Sequence, residues 1–141
     1  MIRNILSKSE DDTRNLAVEL AESSRPGDVF ALTGDLGSGK TLFTKAFASA
    51  LGIEEEITSP TFNLLEEYEN DIPFYHFDLY RIENESELDM LYFEDYWESE
   101  GISVIEWAER AMNRLPDKCI KINFTYIDES QRRIKIEYPD N

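Results

Sequence analysis

One run of eight residues constrains this chain more than any other. Gly34-Asp-Leu-Gly-Ser-Gly-Lys-Thr41 fits the spacing G-x-x-x-x-G-K-[ST]. Ahead of it, Val29–Thr33 is apolar at nearly every position, as a strand buried on both faces would be. Behind it, Leu42–Leu51 carries a helical apolar pattern, and Gly52 is placed to end that helix. Strand, glycine loop and helix in this order have a chemical consequence. Gly34, Gly37 and Gly39 let the backbone curl so that its N–H groups converge on phosphate oxygens. The new helix aims its positive end at the same point. Lys40 is spaced to reach β- and γ-phosphates, and the Thr41 hydroxyl to ligate Mg²⁺. Asp35, Leu36, Gly37, Ser38, Gly39, Lys40 and Thr41 are therefore the expected nucleotide contacts.

Such a loop also needs an acid for Mg²⁺, usually at the end of a second buried strand. Two segments offer one. Pro73–Phe77 is strand-like and ends in Asp78; Ile102–Ile105 is another and ends in Glu106, followed by a helical segment Ala108–Arg114. Parallel strands carry ligands at their carboxyl ends, so either acid fits, and periodicity does not choose between them. Between the loop and these strands, Thr58-Ser-Pro-Thr-Phe62 reads as a turn leading into a strand Phe62–Tyr68. Thr61 is either a plain loop residue or one that senses a γ-phosphate through Mg²⁺.

The remaining segments fill out an α/β domain. Ile2–Leu6 is a short strand candidate, and Ser9 with Asp12 three residues on reads as a capping box for a helix from Asp11 to Ser24. Lys118–Tyr138 reads as two alternating strands joined by a turn at Asp128–Gln131. Asn84–Gly101 mixes acids with aromatics. Leu88, Leu91 and Tyr92 fall at helical spacing, and Phe93, Tyr96 and Trp97 follow, so core packing explains most of them. The exposed remainder is a candidate partner-binding face, acidic with aromatic anchors. Together these elements predict a P-loop NTPase-like, three-layer α/β/α fold, with a mostly parallel sheet and antiparallel edge strands.

Composition narrows the function. At 141 residues the chain has the length of one domain, 1–141, and its 41% hydrophobic content supports a packed core. Its 30 acids against 14 bases give a net charge of −16, which argues against binding DNA or RNA through a broad basic face. No apolar run approaches the ~20 residues of a membrane span. The first residues lack the apolar region of a signal peptide. A single cysteine, Cys119, cannot form an internal disulfide. The expected location is cytoplasmic, with no membrane association.

Four blocks occur in order: Gly-Asp-Leu-Gly-Ser-Gly-Lys-Thr (34–41), Ser-Pro-Thr-Phe (59–62), His-Phe-Asp-Leu-Tyr-Arg (76–81) and Ile-Glu-Trp (105–107). Together they closely resemble the bacterial TsaE (YjeE) family, the ATPase of tRNA threonylcarbamoyladenosine synthesis. The resemblance spans nearly the whole chain; the one visible variation is Ser38, where the family commonly has Ala. It implies weak ATP hydrolysis and action with the TsaB–TsaD pair, which transfers threonylcarbamoyl to adenosine 37 of tRNAs reading codons that begin with A. It implies that tRNA is met only through that complex. It makes Glu106 the Mg²⁺ acid with Thr41, and Asp78 a catalytic or water-orienting carboxylate beside the γ-phosphate. With Lys40, these carry the expected catalysis. Trp107 becomes a site-lining or switch residue as readily as a core one, and Thr61 a switch residue. Thr13 and Arg132 become base- or phosphate-contact candidates, because in this family the adenine lies near the first helix and the last hairpin.

His76 reads as a buried, hydrogen-bonded core residue rather than a base, and Arg81 as a salt-bridge partner rather than an internal arginine finger. Two other functional classes fit the loop: a small-molecule kinase, for which no arginine-rich lid follows the motif, and an adaptor that binds nucleotide without turnover.

Overall fold

The computed structural model describes residues 1–58, 64–91, 93–111 and 113–139, with no account of the side chains of 90 and 91. Seven strands form one sheet: β1 (Ile2–Ser7), β2 (Val29–Gly34), β3 (Leu65–Tyr68), β4 (Phe74–Asp78), β5 (Ile102–Glu106), β6 (Ile120–Tyr126) and β7 (Arg132–Glu137). Their order is β1-β7-β6-β2-β5-β4-β3. The four central strands, β6, β2, β5 and β4, run parallel. Antiparallel strands flank them on both sides: β3 on β4, and β7 followed by β1 on β6. The expected antiparallel edge from the last strands is present, and a second one lies across the sheet at β3.

The two long helices, α1 (Glu10–Ser23) and α2 (Lys40–Ala50), cover one face. Leu16, Leu20, Phe43 and Phe47 meet Phe30, Leu32, Phe74, Val104, Ile122 and Ile134 there. Phe47 stacks near Phe43 and stands edge-on to Phe30, with centroids 6.0 and 4.9 Å away. A Phe→Ala change at a site this buried typically costs about 3–5 kcal/mol. On the opposite face lie two 3₁₀ turns, Glu85–Leu91 and Ala108–Ala111, and the five-residue helix α3 (Phe93–Trp97). Their Leu88, Phe93, Trp97 and Ala108 pack on Val29, Ala31, Phe77 and Ile105.

One expectation is corrected on this second face. The segment after Glu106 makes a short 3₁₀ turn, Ala108–Ala111, where a helix to Arg114 was expected. Phe93 and Trp97 are buried and Tyr96 is half-buried against Phe77, the core packing expected for most of these aromatics. Asp89, Asp95, Glu98 and Glu100 remain exposed. The strand expected over Phe62–Tyr68 is Leu65–Tyr68 among the described residues, and Tyr92 lies outside them.

Side chains alternate along each strand, which decides what reaches the helix-covered face. On β4 these are Phe74, His76 and Asp78; on β5 they are Ile102, Val104 and Glu106. Phe74, Ile102 and Val104 pack among the residues of the α1–α2 face, while Phe77 and Ile105 pack beneath. The parallel register sets Asp78 beside Glu106. Both acids thus finish on the side from which α2 departs.

Candidate functional site

At the carboxyl ends of β2, β4 and β5 a cavity of about 410 Å³ opens. Its lining includes Gly37–Thr41 from the loop and α2, Asp78, Glu106 and Trp107 from the strand ends, Thr13 from α1 and Arg132 from the last hairpin.

The loop side is built by backbone. Gly34 has φ 138°, and a Cβ there would lie 2.5 Å from the Phe124 carbonyl oxygen and 2.9 Å from Ser38 Oγ, so no side chain fits. Gly39, at φ 108°, sits immediately before α2 in a left-handed conformation and supplies no side-chain cap. The first amides of α2 therefore keep their donors for something other than their own chain. The start of α1 at the same rim is different. Ser9 Oγ accepts from the Asp12 N–H at 3.2 Å, and Glu10, Asp11 and Asp12 fill its first turn. The expected capping box is offset by one residue: Asp12 Oδ2 accepts from the Lys8 N–H, not from that of Ser9.

Lys40 is the cation of the site. Its Nζ donates to the carbonyls of Gly34 and, at 3.3 Å, of Asp35, and lies 3.6 Å from the centre of the Trp107 ring. Burial pushes its amine below the usual lysine range, against the opposing pull of Glu109 and Glu106. Trp107 is the one non-glycine residue with a positive φ, 58°, among the described residues. That conformation is costly for a bulky side chain and survives where its surroundings hold it. Here it turns the indole over Lys40 and against Tyr80, whose ring centre is 4.9 Å away.

The facing acids differ. Glu106 is 2% exposed. Its Oε1 accepts from the Thr41 hydroxyl at 2.9 Å, and its Oε2 contacts His76 Nε2 at 2.5 Å. Asp78 is half-buried and its Oδ1 accepts from the Tyr80 N–H at 3.0 Å. Burial pushes the Asp78 carboxyl above its ordinary range, and the Tyr80 amide only partly offsets this.

Of the expected contacts, Leu36, Gly37, Ser38, Gly39, Lys40, Thr41, Asp78, Glu106, Trp107, Thr13 and Arg132 converge on this cavity. The Asp35 side chain is exposed and is not among its lining residues; its backbone carbonyl is what meets Lys40. The Thr13 hydroxyl is bonded to Ser7 at 2.7 Å. Arg132 donates to the Gly37 carbonyl at 3.1 Å and stacks on Tyr126, which ties the last hairpin to the loop. Thr61 lies outside the described residues. His76 is fully buried and hydrogen-bonded, as expected, but its partner is a site acid.

Two contributors escaped the sequence. Glu109 accepts from the Gly34 N–H at 3.1 Å and braces the end of β2, and Tyr80 screens the cavity beside Trp107. Tyr80 sits within the 76–81 block, yet that block assigns it no role, and Glu109 carries no local signal: it meets Gly34 only because a 3₁₀ turn folds back over β2. Among the described residues, no group of three His, Cys, Asp or Glu side chains is placed to hold a metal. A hydroxyl and one carboxylate, with phosphate oxygens and water, are the usual ligands of Mg²⁺ at such loops. Thr41 and Glu106 fit that donor set.

A parallel-centred sheet, a glycine loop running into an uncapped helix, and acids at neighbouring strand ends define an α/β domain of the P-loop NTPase-like class. The sequence profile described as "Threonylcarbamoyl adenosine biosynthesis protein TsaE" matches residues 7–134, and the chain belongs to the TsaE family. The "tRNA threonylcarbamoyladenosine biosynthesis protein TsaE" of Bacillus subtilis (strain 168) is 40% identical over 125 residues, 88% of this chain and 78% of its own length. That of Nostoc sp. is 43% identical over 94% of this chain and 83% of its own, and that of Treponema pallidum 35% over 93% and 97%. The crystal structure of Bacillus subtilis YdiB superimposes with a TM-score of 0.81 at 32% identity, covering 100% of this chain and 88% of that one. No helix among the described residues is long and apolar enough to cross a membrane.

Proposed function

We propose that this chain is a cytoplasmic Mg²⁺-dependent ATPase. It acts with TsaB and TsaD proteins in forming the threonylcarbamoyl group on adenosine 37 of tRNAs reading codons that begin with A. Membership of the family supports the part in threonylcarbamoyladenosine synthesis. The observation that carries the ATPase reading is the 2.9 Å hydrogen bond from Thr41 to Glu106, at the foot of a helix start without a side-chain cap.

The chemistry asked of each residue follows from its surroundings. The α2 amides and Lys40 bind and neutralise β- and γ-phosphate charge in a site half closed to water. Thr41 and Glu106 would hold Mg²⁺, which when bound would supply further charge neutralisation on the phosphates. Asp78, beside Glu106 but not bonded to Thr41, accepts a hydrogen bond from the attacking water and orients it. Its raised pKa suits a carboxylate that handles a proton. Trp107 and Tyr80 shield Lys40 from solvent. In a chain of net charge −16, ATP binding depends on this local cationic side, and tRNA is left to the partners. Contacts with a basic partner patch should weaken as salt is added.

The test is phosphate release from Mg–ATP by the purified chain, alone and with TsaB and TsaD, followed by scoring of modified tRNA. Slow turnover alone and stimulation by the pair are expected. No stimulation and no effect on tRNA would leave a generic nucleotide-binding domain, and transfer of phosphate to a metabolite would point to a kinase.

A further inference from the structure

His76 is the only histidine in the chain, and the proposed chemistry does not use it. It is 0% exposed, on the parallel strand β4, two residues before Asp78 and on the same face. Its ring nonetheless contacts an acid on the adjacent strand. In the β4–β5 register His76 stands opposite Val104, and Glu106 lies one diagonal step beyond. The contact made is Nε2 to Glu106 Oε2 at 2.5 Å. An ionised carboxylate accepts and does not donate, so this contact with an ionised Glu106 calls for an N–H at Nε2. Nδ1 has no partner among the described residues, which makes Glu106 the polar contact that holds the ring.

The consequence falls on Glu106. Each of its two oxygens has one partner, and those partners lie on different elements: Thr41 on α2 for Oε1, and His76 on β4 for Oε2. A carboxylate this buried is tolerated when its oxygens are satisfied. With Oε2 held, rotation about the terminal bond is blocked and Oε1 stays turned toward Thr41. Among the described residues Asp78 has no such brace; it accepts from the Tyr80 amide and is half-buried.

We infer that His76 is a positioning residue, which by fixing Oε2 of Glu106 presents Oε1 to Thr41 and to Mg²⁺ and so selects Glu106 over Asp78 as the metal acid. This rests on the metal reading of Thr41 and Glu106 above. Outer partners of metal-binding groups typically change metal affinity by about 10–100-fold when removed.

The experiment measures binding of a fluorescent ATP analogue across a Mg²⁺ titration, compared with binding in EDTA, for the native chain, His76→Leu and His76→Gln. In His76→Leu the Mg²⁺ concentration needed should rise by about tenfold or more, with metal-free binding unchanged. His76→Gln keeps an N–H donor near the position of Nε2 and should return most of the difference, a rescue that loss of packing alone does not predict. An unchanged Mg²⁺ requirement in His76→Leu, or a His76→Gln chain as impaired as His76→Leu, overturns the inference. The two failures separate. A native chain indifferent to Mg²⁺ brings down the metal reading and the inference with it; a native chain that needs Mg²⁺ beside an unchanged His76→Leu brings down the inference alone. Should His76→Leu not fold, the ¹⁵N imidazole spectrum of the single histidine decides. A proton on Nε2 whose resonance moves in Glu106→Gln supports the contact, and a proton on Nδ1 overturns it.

Discussion

The cavity has two walls made in different ways. The cationic wall is mostly main chain: the uncapped amides of α2 behind Gly39, with Lys40 laid against the Gly34 and Asp35 carbonyls. The anionic wall is all side chain: Asp78 and Glu106, set side by side by the register of β4 and β5. The start of α1, on the same rim, is an internal control, since its Ser9 cap and acidic first turn already neutralise it. The difference teaches where specificity for the proposed phosphate and metal would come from. A helix start attracts an anion only if its own chain leaves it unsatisfied, and a carboxylate pair divides its labour only if its surroundings differ.

The largest expected effect comes from removing the cation. Lys40→Ala should lower Mg–ATP turnover by about 10²–10³-fold in a phosphate-release assay, with circular dichroism unchanged. Turnover within twofold of native would mean that the amides alone carry the cationic wall. The acids should then part company. Asp78→Asn is expected to slow turnover by roughly 10²-fold at an unaltered Mg²⁺ requirement. Glu106→Gln should raise that requirement by about 10–100-fold. If the two variants exchange these behaviours, the metal assignment is reversed.

A smaller effect concerns stability. Burial raises the Asp78 carboxyl above its unfolded value, so the folded state binds that proton more readily. Ionising Asp78 therefore costs folding stability: the cost is absent below the ordinary carboxyl pKa of about 4 and grows as pH rises through the raised folded value. Asp78→Asn should accordingly melt higher than native at pH 7, with the gain shrinking toward pH 4. An equal gain at both pH values would show that repacking, not ionisation, is responsible. The smallest change is at the control helix. Ser9→Ala should cost about 1 kcal/mol in a denaturant melt, the value of one lost N-cap.

Much of the cationic wall is legible along the chain because every part of it is local. Gly34, Gly37, Gly39, Lys40 and Thr41 act within two turns of backbone, and the buried strand and amphipathic helix on either side show in the apolar pattern. The anionic wall is legible only as two candidates. Asp78 and Glu106 each end an apolar strand, and nothing in either segment says which one touches Thr41. Glu109 gave no signal, since its bond to Gly34 joins residues far apart in sequence. The aromatics Phe93 and Trp97 were legible as core despite the acids around them in sequence, but not the partner they share: both rings face Phe77 across the fold.

By itself, then, the sequence determined a glycine loop between a buried strand and a helix, an acidic chain with enough apolar residues for a packed core, and two strand-end acids. Local backbone sterics and periodicity decide such things, and these are properties of neighbours. Only the tertiary structure decided that β4 lies beside β5, that His76 reaches diagonally to Glu106 and not to Asp78, and that Trp107 turns over Lys40 in a conformation tryptophan rarely adopts. Those contacts come from strand order and register, which long-range packing settles, and no run of adjacent residues encodes them.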